Sequence, residues 1–430
     1  MSTTSQDNLL SVVLKTGIDS TLIETIPNLI SQINITDNYG NTPLILASEN
    51  CNNIYTHISQ NYGSTYETVT KLLSLRPNLD IQNNQGYTAL MIACKYSNIT
   101  SSYSTVEQLL LNGANINLRT NSGYTALMIA SKYSIDTSNL KTVELLMKYN
   151  PDVNLKNIKA STALSLACKY STYQTVSLLL IHKSDINTID VLLRTPLHIA
   201  VLNSTVDVVE LLLTSGADPN IRDDDGYTPL MYSCMWKHDN MFKLLIKYKS
   251  NIHILNNYKD NCLIIACKNG NINMIKTLIK LGGDINHGNK QNWTSLMIAC
   301  KYSDVAAVKF ILKHHADPNI KNSDYLTALL IACQTDDLDK IRLLLEYKAD
   351  YHYTTPQNLT WLNYYNGNSN DLVNILVDQY QHKLETITNK LYFYTQTLYT
   401  HPDFVDIQTL ESDFMIKASK KRKLNDDIIQ

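Results

Sequence analysis

No stretch of the 430-residue sequence approaches the ~20 consecutive apolar residues that a bilayer-spanning helix needs, so the pattern offers no membrane span. The opening residues, MSTTSQDNLLSVVLKTG, lack both a basic n-region and an apolar core, and we expect no secretory leader. An excess of one charge is lacking too. Lys and Arg number 37 against 39 Asp and Glu, a net −2 that supplies no global field to draw in nucleic acid or an anionic membrane. Glycine is scarce (13), whereas Asn, Ile, Lys and Tyr are plentiful, which reads as the bias of an AT-rich genome rather than as chemistry. Catalytic wording is absent as well: there is no Walker loop, no GxGxxG after a strand, no HExxH and no GxSxG. His314 and His315 are adjacent, and neighbours in sequence do not face each other on a helix. We therefore expect no enzyme activity, no metal and no cofactor. What remains is a chain with 44% hydrophobic residues, ordinary for a folded protein.

Cysteine is present but not in metal-binding form. Of eight cysteines, Cys94, Cys168, Cys234, Cys267, Cys300 and Cys333 recur at one position of a repeated phrase, with no CxxC pair and no His at ligand spacing. Equivalent positions on stacked helices face one packed layer, so these read as buried thiols acting as small core hydrophobes. A reducing, intracellular compartment follows. The Asn-x-Ser/Thr matches at Asn98 and Asn203 are then chance in an Asn-rich chain.

The repeated phrase organises everything else. Tyr87–Ser97 reads YTALMIACKYS and returns as Tyr124–Ser134, Ser161–Ser171 and Trp293–Ser303, with looser copies between. The Thr that opens each copy, or its substitute, falls at 42, 88, 125, 162, 195, 228, 261, 294, 327 and 360. From 162 onward every step is 33, and the earlier steps of 46, 37 and 37 carry insertions into that period. Thr42-Pro43, Thr195-Pro196 and Thr228-Pro229 place a hydroxyl N-cap before a Pro at the first helical position. Asn261 replaces Thr in one copy, and that repeat, lacking Thr-Pro, is the expected weak point. In the short helix that follows, Leu90, Ala93 and Cys94 share one face, and Ile92 falls nearer the open side. A second helix carries an aliphatic stripe, as in Val206–Leu213, and Gly216 and Gly283 stand where it should end in a left-handed residue. Asp or Asn five residues before the Thr, with Gly two before it in four copies, predicts a tight turn projecting beyond the helices.

A turn plus two helices in 33 residues, with T-P-L-H at Thr195–His198 and GADPN at Gly216–Asn220, resembles the ankyrin repeat. The resemblance covers roughly residues 33–380 and implies an all-α class, helix-turn-helix units with β-turn fingers, stacked as an ankyrin-repeat solenoid. The motif's His survives only as His198, so the hydrogen bonds it makes to neighbouring turns should be fewer. Four parts follow: a degenerate capping repeat over 1–32, about ten repeats over 33–380, a terminal helix over 381–400 and a polar, basic tail over 401–430. The insertion around 49–68 should form an exposed loop between two helices. The Asn- and Tyr-rich wording also resembles the multigene ankyrin proteins of giant amoeba-infecting DNA viruses, which implies a viral protein in a host cytoplasm, with the nucleus open.

Stacked repeats offer a long concave surface of turn tips and first helices. The ankyrin resemblance implies three partner-facing positions per repeat, carried over residue by residue. The residue before the Thr is aromatic at Tyr87, Tyr124, Tyr227 and Trp293. The two after the Ala-Cys pair are Lys95-Tyr96, Lys132-Tyr133, Lys169-Tyr170, Met235-Trp236 and Lys301-Tyr302. Aromatics and Met suit interface cores, and the interleaved Lys suits an acidic segment. The plainer reading is that near-identical Lys-Tyr pairs record duplication and pack along neighbouring helices. Repeat-to-repeat variation concentrates near 228–340, which favours that part as the binding region. In the tail, Lys420-Lys421-Arg422-Lys423 resembles a monopartite nuclear signal, or is a solubilising terminus. The function we expect is a monomeric, non-enzymatic scaffold for a protein partner that the sequence does not name. A ubiquitin-ligase adaptor is the alternative, although 380–430 shows no F-box-like opening, and a nucleic-acid partner is less favoured because acidic residues balance the chain.

Overall fold

The computed structural model describes residues 29–50, 65–96, 100–134 and 137–365, with isolated positions as far as 388. Most of the 1–32 cap, the centre of the 49–68 insertion, all of the 381–400 helix except position 388 and the basic tail with Lys420–Lys423 lie outside the described residues. The chain divides into two compact units, Met1–Thr327 and Ala328–Gln430.

In the first unit each repeat opens as its hydroxyl predicts. The side-chain oxygens of Thr88, Thr125, Thr162, Thr228 and Thr294 accept from the backbone N–H three residues on, at 3.2–3.3 Å. This satisfies one of the donors that a helix start leaves unpaired. Asn261 caps in the same way at 2.9 Å, and its amide also donates to the Asp284 carbonyl at 3.2 Å.

The first helices are less amphipathic than their periodicity suggests. In Ala89–Lys95 all six residues from Ala89 to Cys94 are buried, and Ala126–Tyr133, Ala163–Tyr170, Cys262–Asn269 and Ser295–Tyr302 repeat the pattern. Each of these helices packs backwards on its own second helix and sideways on the first helix of the repeat before it, and the first four pack also on the first helix of the repeat after. A neighbour on either flank covers Ile92, leaving it 5% exposed. The second helices form another row and keep a one-sided stripe: in Val206–Thr214 only Val208, Val209, Leu212 and Leu213 are buried. Burying one such Leu or Val contributes about 1.5–3 kcal/mol, and alternating small residues such as Ala93 let the backbones approach.

Second helices end in a left-handed residue. Gly113, Gly216 and Gly282 fill that place with φ of 84–96°, and Arg76, Asn150, Lys183, Lys249 and His315 do so with φ of 49–67°. The glycine assigned by sequence at 283 is corrected to Gly282. Gly283 instead donates to Leu278 O at 2.9 Å, closing a Schellman turn with Gly282 N to Ile279 O at 3.0 Å.

The fingers follow one plan. Asp223 Oδ1 accepts from Tyr227 N at 2.7 Å, Asp223 N donates to Tyr227 O at 2.9 Å, and Gly226 holds φ +81°. Where Gly is missing, Ala160, Leu193, Lys259, Asn292 and Tyr325 adopt φ of 55–61° instead. Each finger donates one backbone N–H to the tip before it, from Asn84 N to Tyr39 O (2.9 Å) through to Ser323 N to Gln291 O (2.9 Å). A second ladder runs at the finger bases, where Asn117, Asn154, Asn187 and Asn220 each accept from a backbone N–H of the next repeat at 2.8–3.0 Å. His253 occupies the following rung and makes no such bond to Asp284, and the ladder resumes at Asn286. Apart from an isolated Gly288–Thr294 bridge there is no strand among the described residues.

In the second unit, Ala328–Gln334 is buried from Ala328 to Cys333 and packs on Leu338–Glu346. Asp337 caps the latter helix and pairs with the buried Lys340 at 3.0 Å. Thr355 closes a further finger by accepting from Leu359 N at 3.2 Å, and the short Trp361–Tyr364 turn buries Trp361.

Candidate functional site

The three positions singled out in each repeat meet in space because one lies at the base of the finger and two at the end of the first helix. Lys95 Nζ lies 5.8 Å from the Tyr87 ring centroid and 4.9 Å from that of Tyr96. Lys132 reaches Tyr124 (5.8 Å), Tyr133 (5.2 Å) and, across the repeat boundary, Tyr170 (5.8 Å). Lys169 lies 4.9 Å from Tyr170, and Lys301 lies 5.3 Å from both Trp293 and Tyr302. Each ammonium therefore rests on aromatic faces of its own chain, an attraction worth about 0.5–1 kcal/mol where water reaches it. Lys95 and Lys132 are half-buried, whereas Lys169 and Lys301 are exposed.

Two grooves form between fingers and first helices in this unit. The larger, about 530 Å³, lies between Tyr227 and Tyr302. Tyr227, Tyr258, Trp293 and Tyr302 supply its aromatic walls, and Ile265 and Ile298 form an apolar floor. Lys268, Lys301 and Asp260 add charged groups to its lining. Met235 contributes to the lining, but Trp236, 58% exposed, does not. A second groove of about 470 Å³ joins Tyr87, Ile92 and Lys95 to Tyr39, Asp37 and Glu49. Ile92 thus reaches the open side, as its helical position implies, while staying covered by neighbours.

One wall of the larger groove is braced from behind. Tyr232 Oη donates to Asp223 Oδ2 at 2.6 Å, its ring lies 5.5 Å from that of Tyr227, and it meets His198 edge-on at 6.0 Å. Burial, then the bond to Asp223, pushes the Tyr232 phenol up. Burial, then the Asp260 charge, does the same for Tyr227, so both rings stay neutral. His198 Nε2 lies 3.1 Å from Tyr227 O, and Nδ1 lies 3.1 Å from Thr195 N. This single His ties finger, cap and groove wall together.

Sequence reading did not single out Tyr258 or Asp260, and it named Lys268-Asn269 only as a place where the repeats vary most. Tyr258 sits at a finger tip, where the other tips vary freely, and Asp260 replaces the aromatic before the capping residue. Asn269 stands where Tyr stands in the copies, and its amide donates to Cys234 O (3.0 Å) and Met235 O (2.6 Å). The final Ser of the phrase was overlooked too. Ser303 Oγ donates to Cys267 O at 2.7 Å, and Ser171 makes the equivalent bond to Ser131 O. That Ser ties one repeat to the last turn of the first helix before it.

The six recurring thiols are buried, as is Cys262. Burial raises Cys94, Cys168, Cys234 and Cys267 well above the usual thiol range and pushes Cys333 up to about 12. A thiol kept protonated in an apolar layer is neither a nucleophile nor a metal ligand.

A family model of ankyrin repeats (three copies) matches the chain in overlapping frames at residues 56–157, 137–223, 164–256, 197–289, 230–322 and 296–387. No curated protein matches the chain. Among solved structures, the human ASB11 ankyrin repeat domain is similar, with 22% identity and a TM-score of 0.45 over 50% of this chain and 97% of that one.

Proposed function

The chain belongs to the ankyrin-repeat family, and from that premise we propose that it is a non-enzymatic scaffold that holds an extended protein segment in the groove between Tyr227 and Tyr302. The observation that carries this reading is the convergence of four aromatic rings from three repeats over an apolar floor. Aromatic walls bury large area at little entropic cost, and a wall braced by Tyr232 and His198 needs little ordering when it binds. Lys268 and Lys301 favour an acidic side chain on the segment, and Asp260 favours a donor beside it. The Lys-Tyr pairs of earlier repeats extend the same surface with less variation. The Asn- and Tyr-rich wording supports a viral setting, in which the segment belongs to a host or viral protein.

A photo-crosslinking residue placed at Tyr258 tests this in the natural cell, with Ile181, exposed on a second helix, as the control position. A protein crosslinked from 258 and not from 181 supports the reading; equal crosslinking from both overturns it. Performing the capture at low and at physiological salt separates a nucleic-acid partner, whose binding falls by orders of magnitude over that range. Deleting 381–430 tests the adaptor alternative, which requires loss of a ubiquitin-ligase subunit from the crosslinked set.

A further inference from the structure

The finger tips carry a feature that the groove does not use. At the three tip positions, four fingers of the first unit show only polar residues or Gly (Asn84-Gln85-Gly86, Asn121-Ser122-Gly123, Asp224-Asp225-Gly226 and Lys290-Gln291-Asn292), and three more add a single Tyr. One finger instead reads Val191-Leu192-Leu193, and the tip before it begins with Ile158. These four side chains are 43–66% exposed. Leu193 also holds φ +55° in the place that four other fingers give to Gly. A branched aliphatic residue there is at once strained and water-exposed, and neither the finger ladder nor the helices below gain from it. Strain and exposure at one residue point to a surface shaped for contact.

The charges around this patch identify the partner. Backbone bonds from Val191 N to Lys159 O (3.2 Å) and from Asp224 N to Leu192 O (3.1 Å) fix the three tips side by side. The row therefore reads basic (Lys159), apolar (Val191–Leu193), acidic (Asp224, Asp225), with all of these side chains exposed. Arg222 is set back from the acidic tip, and its guanidinium turns sideways onto Asn257 Oδ1 at 2.7 Å. Rotating such a row by a half-turn about its centre lays Lys159 against Asp224 and Asp225 of another copy at both ends, and apolar tip against apolar tip in the middle. That is the self-complementarity an isologous two-fold contact requires.

We propose that this finger row is a self-association surface, and that a second copy of this chain is its occupant. The proposal stands independently of the groove. A few tips per copy cover far less than the roughly 800 Å² per partner of a stable dimer, so the association is concentration-dependent rather than obligate. The expectation of a monomer then holds only at low concentration.

Sedimentation velocity of the full chain over a concentration series reaching the millimolar range tests this with exchanged charges. Wild type should shift from monomer to dimer, and Lys159→Glu alone should abolish the shift, as should Asp224→Lys with Asp225→Lys. Mixing these two variants should restore a dimer, because each then presents the charge the other lacks. Leu193→Gly should raise the melting temperature, by relieving the left-handed Leu, while removing self-association. All of these positions are exposed, and the melting curves of the charge variants should match wild type. A wild type that stays monomeric throughout, or a mixture that fails to dimerise where wild type does, overturns the proposal.

Discussion

The Nε2 of His198 lies 3.1 Å from the backbone oxygen of Tyr227, so an imidazole capping one repeat also holds the finger of the next. His198 is 0% exposed, and burial lowers its pKa, outweighing the raising effects of the Tyr227 carbonyl, Asp223 and Asp190; Arg194 lowers it further. The unfolded chain therefore takes up a proton near pH ~6.5 that the folded chain refuses, and stability falls as pH drops below that value. Amide protection factors around Tyr227, corrected for the intrinsic slowing of exchange in acid, should fall between pH 7 and 5, and His198→Met should remove most of that pH dependence. The same variant should cost about 1–3 kcal/mol at neutral pH through the buried donors and acceptors left unpaired. Met is the natural choice because Met128 and Met231 occupy this position in other repeats.

Alkylation of the recurring thiols should report opening rather than accessibility. With Cys94, Cys168, Cys234 and Cys267 buried and held protonated, iodoacetamide should modify them at least about a hundredfold more slowly in native buffer than in denaturant at the same pH. Mass spectrometry of partly alkylated protein reads the rate site by site. Equal rates in the two conditions would show that the thiols are not in the packed layer.

The weak rung of the array should lie at His253. Sequence reading placed it at Asn261 for want of Thr-Pro, yet Asn261 makes a 2.9 Å cap and a bond to Asp284 O. The base ladder instead lapses at the finger that leads into Asn261, where His253 makes no bond of the kind that Asn220 and Asn286 accept from the next repeat. Replacing His253 with Asn should restore the rung and add about 0.5–1.5 kcal/mol. Amide exchange at Asp284 should slow in that variant, and unchanged exchange would rule out the missing rung as a source of local opening.

Much of the fold was legible because each repeat states its own grammar. Thr88, Pro196 and the Asx at Asp223 are local signals whose geometry depends on a few neighbours, and the structure places them as read. Pattern did less well where tertiary contact decides. The face drawn through Leu90, Ala93 and Cys94 understated burial, because flanking repeats cover Met91 and Ile92 as well. The left-handed finger position was visible only where Gly marked it, although Leu193 and Tyr325 adopt it under the constraint of the ladder. At the candidate site, Tyr227, Trp293, Lys301 and Tyr302 were legible from their register. Tyr258 and the bridging Ser303 were not, and Asn269 only as a point of variation, because their roles arise from what an adjacent repeat brings beside them.

The most direct test of the binding account is a selection of random linear peptides on the full chain, followed by affinity measurement on variants. The account predicts enriched peptides with an apolar or aromatic centre and an acidic residue, bound at least about tenfold more weakly by Trp293→Ala, Tyr258→Ala and Tyr302→Ala, each a loss of about 1.4 kcal/mol or more. Ile181→Ala, on an exposed second-helix position, should leave affinity unchanged. Peptides that bind all three groove variants as tightly as wild type would contradict the account.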